Sequence, residues 1–442
     1  MKKIFSISLL FSVTAMLFTG CVSEEDDLFS TSAAERLMQS KKVYTERLGG
    51  TTWLMEFYPV NTDEAPKGNG YLILNQFKKD GSVVQAMQND LSDGKYLTDT
   101  SLWEVISDQG TVLSFNSYNK CIHTFSDPGL YQTGQGYEGD YEFVILSLEE
   151  GAKYGMLKGK KRSTYNRLTR LPDDTDFKAY LQDVNDFHNK VFSSSAPNDC
   201  MMNIGDSAIV FTEGNSGIAS LYPFGGDPIS QTTDHAFLIS KNDGKYYLRF
   251  REELAGKGDD KVQEFVYDEA ADVFRAVDNE NNLIQGPGAA WFFNEKVENL
   301  SQWVLANNAE MSSQFKSYID AVGAELKAVN KNFTLSNINF SYDTKIQRYQ
   351  WTLRYMSAGR PANQAYYFAY VPNVDGGSCG FNFQEASGTA AENVMNRCPS
   401  LKTLWEILSQ EWALTPAVTG FNLSKIKLTS KSNPDLWFVV NI

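Results

Sequence analysis

Between residues 50 and 170 the chain passes through one short strand-like run after another, each closed by a turn signal. This density of punctuation limits the folds open to it. Trp53–Tyr58 stops at Pro59. Tyr71–Phe77 and Ser82–Gln88 meet through Asp80-Gly81, a dipeptide that accepts the backbone of a tight hairpin. Ser101–Ser107, Thr111–Ser117, Cys121–Phe125, Tyr141–Leu148, Lys153–Lys158 and Ser163–Leu168 complete the series. Runs this short bury a face only by pairing with neighbours, so the pattern predicts an antiparallel barrel or sandwich. With 28 Phe and 22 Tyr among 442 residues, there is aromatic volume for several cores.

Helical periods interrupt the strands. Residues 32–48 open with Ser32 and Glu35 at capping-box spacing and stop at Gly49-Gly50. Residues 173–192 set Phe177, Leu181, Val184, Phe187 and Val191 on one face, behind an acidic start that suits the positive helix end. Further strand-like runs cover 208–212, 217–222, 236–240, 245–251, 262–267 and 273–277. Residues 296–330 read as one helix through Leu300, Val304, Phe315, Ile319, Val322 and Leu326. Strands return at 338–342, 349–355 and 365–371, a helix at Pro399–Leu408, and strands at 412–414, 425–429 and 436–441. The apolar ending Trp437-Phe438-Val439-Val440 argues that the last strand is held in a sheet. The expected fold is α+β, mainly antiparallel β, in two or three barrel- or sandwich-like units separated by helices. Their expected spans are 32–170, 171–294 and 295–442. Helix-then-meander occurs twice, without a convincing residue-level repeat. For residues 50–170 a lipocalin-like barrel is one concrete form, because Gly50-Thr51-Thr52-Trp53 resembles the opening of that class with Gly displaced by one position.

The first residues read as an address. Lys2-Lys3, an apolar run over 4–18 and Thr19-Gly20 make a signal peptide over 1–20, too short and wrongly flanked for a membrane span. Leu17-Phe18-Thr19-Gly20-Cys21 resembles a bacterial lipoprotein cleavage box, with Phe18 where Leu is usual. That resemblance implies lipidation of Cys21 and anchoring in the outer membrane through acyl chains, several of which hold stably. Residues 21–31 form a tether whose Ser23-Glu24-Glu25-Asp26-Asp27 is too charged to pack. It also resembles the export signal of Bacteroidetes surface lipoproteins, which implies display toward the cell exterior.

Few motifs carry chemistry. The net charge of −14 argues against a nucleic-acid partner, since phosphate binding draws on clustered Lys and Arg. Besides Cys21 the chain has Cys121, Cys200, Cys379 and Cys398. Cys379 and Cys398 are closest in sequence, and a disulfide between them would add about 3 kcal/mol in the chain-entropy model. Two buried free thiols are the alternative. His123, His188 and His235 lie far apart and fit no zinc spacing, and none is assigned as a metal ligand. Gly205-Asp206-Ser207 resembles the nucleophile block of one esterase class, but no His follows His235 to serve as its base. The acidic clusters at Asp90–Asp99 and Asp259-Asp260 lack the spacing of a calcium loop. No catalytic, cofactor-binding or metal residue is assigned, and no cofactor is implied. Tyr246-Tyr247, Tyr366-Tyr367 and the Trp residues offer flat faces to sugars or peptides, with core packing as the alternative. The loops 61–70, 127–140 and 357–364 are where binding residues tend to gather.

Several segments together resemble a family of uncharacterised Bacteroidetes surface lipoproteins. They are Trp53 to Pro59, Gly70-Tyr71, the Phe77 to Gly81 turn, Leu113 to Asn116, Tyr118-Asn119 with His123, Gly139 to Phe143, and Leu157 to Lys161. The resemblance covers mainly residues 30–200. It implies a setting beside SusC/SusD-like uptake systems and no defined activity. Three functions are then open. The first is a surface binding component that captures a peptide or glycan for the transporter. The second is a structural subunit that docks on outer-membrane partners. An extracellular hydrolase has the least support, given three scattered His.

Overall fold

The structure is a computed structural model that describes residues 31–442 apart from 66, 109, 132–133, 193–198, 214–216, 300, 419 and 422. The segment 1–20 expected to be a signal peptide, and Cys21, lie outside the described residues. The chain is mostly antiparallel β, organised as three successive units, each led by a helix.

In the first unit, α1 (Ala33–Leu48) begins as its spacing predicts. The Ser32 hydroxyl accepts from the Glu35 amide at 3.3 Å, and the Glu35 carboxylate accepts from the Ser32 amide at 3.0 Å. These bonds hold the Glu35 carboxyl below its usual range. Nine strands follow: β1 (Thr51–Phe57), β2 (Tyr71–Phe77), β3 (Ser82–Met87), β4 (Leu97–Leu102), β5 (Glu104–Asp108), β6 (Gly110–Ser114), β7 (Glu142–Ser147), β8 (Tyr154–Gly159) and β9 (Tyr165–Leu171). They form one sheet in the order 4-3-2-1-9-8-7-6-5. The lipocalin-like option is therefore met in its up-and-down order but not in hydrogen-bonded closure, because β4 and β5 are the sheet's two ends. The chain turns between them at Trp103, whose amide donates to Gly81 O at 2.9 Å and whose ring N–H donates to Lys78 O at 3.2 Å. That anchored turn is why the predicted strand 101–107 breaks in two. The predicted strand at 121–125 is instead a 3₁₀ turn over His123–Ser126. Asn119 sets it, accepting from the Cys121 amide at 2.9 Å and donating to Ser101 Oγ at 3.1 Å. Trp53, Phe57, Phe77, Phe115, Phe125 and Phe143 fill the core of this unit.

In the second unit α2 (Phe177–Val191) starts where Asp176 accepts from the amides of Lys178 and Ala179, both at 3.0 Å. The strands β10 (Asp199–Ile204), β11 (Ser207–Glu213), β12 (Ile218–Pro223), β13 (Thr233–Asn242), β14 (Lys245–Ala255), β15 (Lys261–Asp268), β16 (Val273–Ala276) and β17 (Leu283–Gln285) make a closed barrel, with a helical turn α3 (Pro228–Gln231) on the way. Closure comes from β10 pairing β17, Met202 opposite Ile284. The sequence pattern gives neither strand, since β17 has only three residues and carries no period.

The third unit corrects the long helix expected over 296–330. Its place is taken by α4 (Ala289–Glu298), the strand β18 (Trp303–Ala306) and α5 (Ser313–Val329). Ser312 caps α5, its hydroxyl accepting from the Phe315 amide at 3.2 Å. Then come β19 (Phe333–Asp343), β20 (Arg348–Ser357), β21 (Arg360–Asn373), β22 (Ser378–Ala386), α6 (Thr389–Arg397), α7 (Pro399–Leu408), β23 (Glu411–Pro416), β24 (Lys425–Ser430) and β25 (Trp437–Asn441). These eight strands also close into a barrel, with β25 held between β24 and β18. Helix α4 packs into this third core, so the unit begins ahead of residue 295. Cys379 and Cys398 are buried free thiols. Cys379 sits in β22 opposite Trp412, and Cys398 at the joint of α6 and α7, each filling its own place in the core. Of the two states open to them, the structure holds the unpaired one.

Charge joins the first two units and an aromatic anchor joins the last two. Arg167 of β9 spans fully buried Glu56 of β1 and Glu264 of β15, and Arg249 of β14 takes the other Glu56 oxygen. Arg251 of β14 pairs Asp63 at 3.0 Å. From the third unit Phe421 enters the second core, its ring 5.6 Å from Phe274.

Candidate functional site

Helix α2 lies across the second barrel and lines a concavity on each flank. Asp183, Asp186, Phe187 and Lys190 line one, and Leu181, Val184, Asn185 and His188 the other. Both sets follow the i, i+3, i+4, i+7 spacing that keeps side chains on one helix face.

The first concavity is a groove of about 660 Å³ between α2, the β13–β14 turn and the end of β15. Phe187 is its floor. The Tyr246 ring lies parallel to it at 3.7 Å, and Tyr267 meets it edge-on at 4.8 Å. The Tyr246 hydroxyl donates to Asp183 Oδ1 at 2.8 Å, and Lys241 Nζ donates to Asp183 Oδ2 at 2.6 Å. Tyr267 donates to Asp272 at 2.5 Å and accepts from Lys190 Nζ at 2.9 Å. Lys241 and Lys190 also stand over these rings, at 4.8 and 5.0 Å from the centroids. Burial works against the Asp183 charge, but the bonds from Lys241 and Tyr246 outweigh it and hold the carboxyl below its usual range. The Tyr267 bond raises Lys190, and burial raises both tyrosines. At neutral pH the groove thus offers a fixed set of ammonium, carboxylate and phenol groups over an aromatic floor. Such a surface binds by hydrogen bonds and ring edges.

The second concavity encloses about 240 Å³ between α2, the start of β2, the turn after β3, and β13. Leu72, Val184, Phe237 and Leu238 form an apolar wall, and Asn69, Gln88, Asn89 and Asn185 bring amides to it. Asn69 is 1% exposed and has the Tyr71 hydroxyl as a side-chain partner. Asp90 stands at the rim, its carboxyl raised by desolvation. His188 Nε2 lies 2.7 Å from Glu213 Oε1.

The other residues singled out from sequence fall elsewhere. His123 Nδ1 accepts from the Asn119 amide at 3.1 Å, and its ring stacks on Tyr141 at 4.7 Å, so the Asn119–His123 block is turn chemistry. His235 bonds Thr233 at 3.0 Å. The Ser207 hydroxyl accepts from the Lys257 amide at 2.8 Å in a hairpin turn. Among the described residues no group of three His, Cys, Asp or Glu is placed to hold a metal ion. Trp303, Trp351, Trp405, Trp412 and Tyr366 are core residues. Of the aromatic pairs, Tyr246 alone reaches the groove, while Tyr247 faces Lys153 across the seam with the first unit. Asp183 and Lys190 had a readable signal, since both lie on the flank of α2 that leads to Phe187. Asn69 lies in the loop 61–70 singled out from sequence, whereas nothing in the sequence marks Tyr267.

The family model described as a domain of unknown function (DUF4302) matches residues 25–269, more than half of the chain. The chain belongs to the DUF4302 family. The matched span holds the first unit, α2, the whole charge network and both flanks of α2 with the exception of Asp272. The third barrel of this DUF4302 chain lies beyond it. No curated protein matches the chain. Among solved structures, a putative DNA polymerase III beta subunit from Eubacterium rectale ATCC 33656 aligns at 8% identity, over 88% of this chain and 90% of that one, with a TM-score of 0.14. The beta subunit from DNA polymerase of Streptococcus pyogenes aligns at 8% identity over 91% and 97%, with a TM-score of 0.13. Scores this low carry no argument.

Proposed function

We propose that this DUF4302 chain is a Bacteroidetes surface lipoprotein, anchored in the outer membrane through acyl chains on Cys21. In this reading it is an accessory component of a SusC/SusD-like uptake system and captures a peptide or glycan. The address rests on the Leu17–Cys21 box and the acidic residues behind it. Capture rests on one observation, the groove beside α2, whose Tyr246, Tyr267, Asp183 and Lys190 are held in place by one another. Its volume of about 660 Å³ lies in the ordinary range of ligand sites, and a site pre-formed in this way loses little entropy on binding.

Thermal unfolding of the lipid-free chain, scanned against oligosaccharides and peptides, tests it. A ligand at 100 times its dissociation constant adds about 2.7 kcal/mol. The expected result is a saturable rise in Tm that Lys190→Ala and Tyr267→Phe weaken. Absence of any shift would overturn capture and favour the docking subunit.

A further inference from the structure

We infer that the groove floored by Phe187 takes a neutral oligosaccharide rather than a peptide, an inference that rests on the capture reading and narrows it. The charges around the groove nearly cancel. Asp183 pairs with Lys241 at 2.6 Å, and Asp268 pairs with Arg275 at 3.0 Å. The remaining lining carboxylates, Asp186 and Glu269, are matched in number by the lining ammoniums of Lys190 and Lys245. Asp272, which accepts from Tyr267 behind the lining, is the one carboxylate in excess. A set this close to neutral is complementary to a ligand without net charge.

Hydrogen-bonding groups then separate the uncharged classes. Both phenol protons are spent, that of Tyr246 on Asp183 and that of Tyr267 on Asp272. The walls are left rich in acceptors, since each ionised carboxylate has about four lone-pair sites and no donor. The ligand must therefore be rich in donors. Every sugar hydroxyl donates as well as accepts, whereas a peptide brings one N–H per residue and a proline none. The half-buried rings of Tyr246 and Tyr267 also offer apolar surface to the C–H face of a sugar. The common routes for a peptide are poorly served. Strand addition needs a free sheet edge, but β14 and β15 lie inside a closed barrel. Their ladder leaves only the tips Lys245-Tyr246 and Tyr267-Asp268 unpaired with each other, too short to take a strand. A docking helix needs an apolar groove, and here Phe187 and Val266 are the only aliphatic or phenyl side chains in the lining. A proline-rich segment does use aromatic grooves, yet it brings the fewest donors of any peptide.

The test is calorimetric titration of the lipid-free chain with neutral hexose oligosaccharides, uronic acid oligosaccharides of the same length, and lysine-rich and proline-rich peptides. Neutral oligosaccharides are expected to bind at least about tenfold more tightly than any of the others. Asp186 and Glu269 are exposed, so their variants keep the fold. Asp186→Ala should weaken neutral-sugar binding at least about threefold by removing acceptors. Glu269→Lys should raise affinity for the uronic acid oligomers about threefold by reversing a rim charge. Tighter binding of either peptide, or of the uronic acid oligomers, by the unmodified chain would overturn this inference and leave capture standing. Unchanged affinities in both variants would place the sugar outside the groove and overturn it too. Absence of binding by every ligand would overturn capture itself.

Discussion

Arg167→Met tests whether charge welds the first two units. Arg167 is 8% exposed and makes four hydrogen bonds, to Glu56 at 3.1 and 2.6 Å and to Glu264 at 3.0 and 2.6 Å. Glu56 is fully buried, with Arg249 at 3.1 Å as its other partner. Two Glu and two Arg leave the intact network neutral. Methionine keeps much of the stem's packing but strands the Glu56 charge on a single bond from Arg249. Removing one member of a buried ion pair costs about 3–5 kcal/mol, because the partner's charge stays buried. Glu264 is 17% exposed, so water recovers part of its share and the lower end, about 3 kcal/mol, is expected. For a cooperative unit of about 200 residues this lowers Tm by roughly 6–12 °C. Calorimetry on wild type, Arg167→Met, Glu56→Gln and the double variant measures it. The double variant should lose less than the sum of the singles, since each single leaves a charge that the other removes. A loss below about 1 kcal/mol for Arg167→Met, or strict additivity, would refute the reasoning.

Phe421→Ala should cost about 3–5 kcal/mol, since the side chain is 2% exposed within the core of a neighbouring unit. Melting curves should then show the third barrel separating from the second, and an unchanged curve would contradict the anchor. Burial raises the thiols of Cys121 and Cys398 to about 12 and about 11, and those of Cys200 and Cys379 are raised too. Thiol reagent should therefore label these four slowly in the native chain and fully after denaturation, and a Tm that falls on adding reductant would contradict the unpaired state of Cys379 and Cys398. Burial also lowers His123 and His235 below their ordinary 6.5. The unfolded chain then binds more protons, so stability is lost as pH falls from about 6.5 and the penalty is complete below the lowered values. His123→Gln should flatten this slope in Tm against pH, and an unchanged slope would count against it.

Local chemistry made some elements legible. Ser32 and Glu35 announce α1, Asp80-Gly81 fixes the hairpin that carries β2, and Pro399 opens α7 where the pattern places it. What failed depends on distant partners. The strand β18 has four residues, and the apolar positions around it fit a helical period as well as a strand's. Only its pairing with β19 and β25 decides the matter. Residues 121–125 read as a strand because a 3₁₀ turn held by side chains leaves no period of its own. The groove draws Asp183 from a helix and Tyr246 and Tyr267 from the paired strands β14 and β15, and the packing of α2 across that pair brings them together.

Amide hydrogen exchange, with and without the oligosaccharide or peptide that raises Tm most, bears most directly on capture beside α2. The account predicts added protection over residues 183–190 and 242–248 and none over 425–441. Protection confined to the third barrel, or to none of these segments, would contradict it.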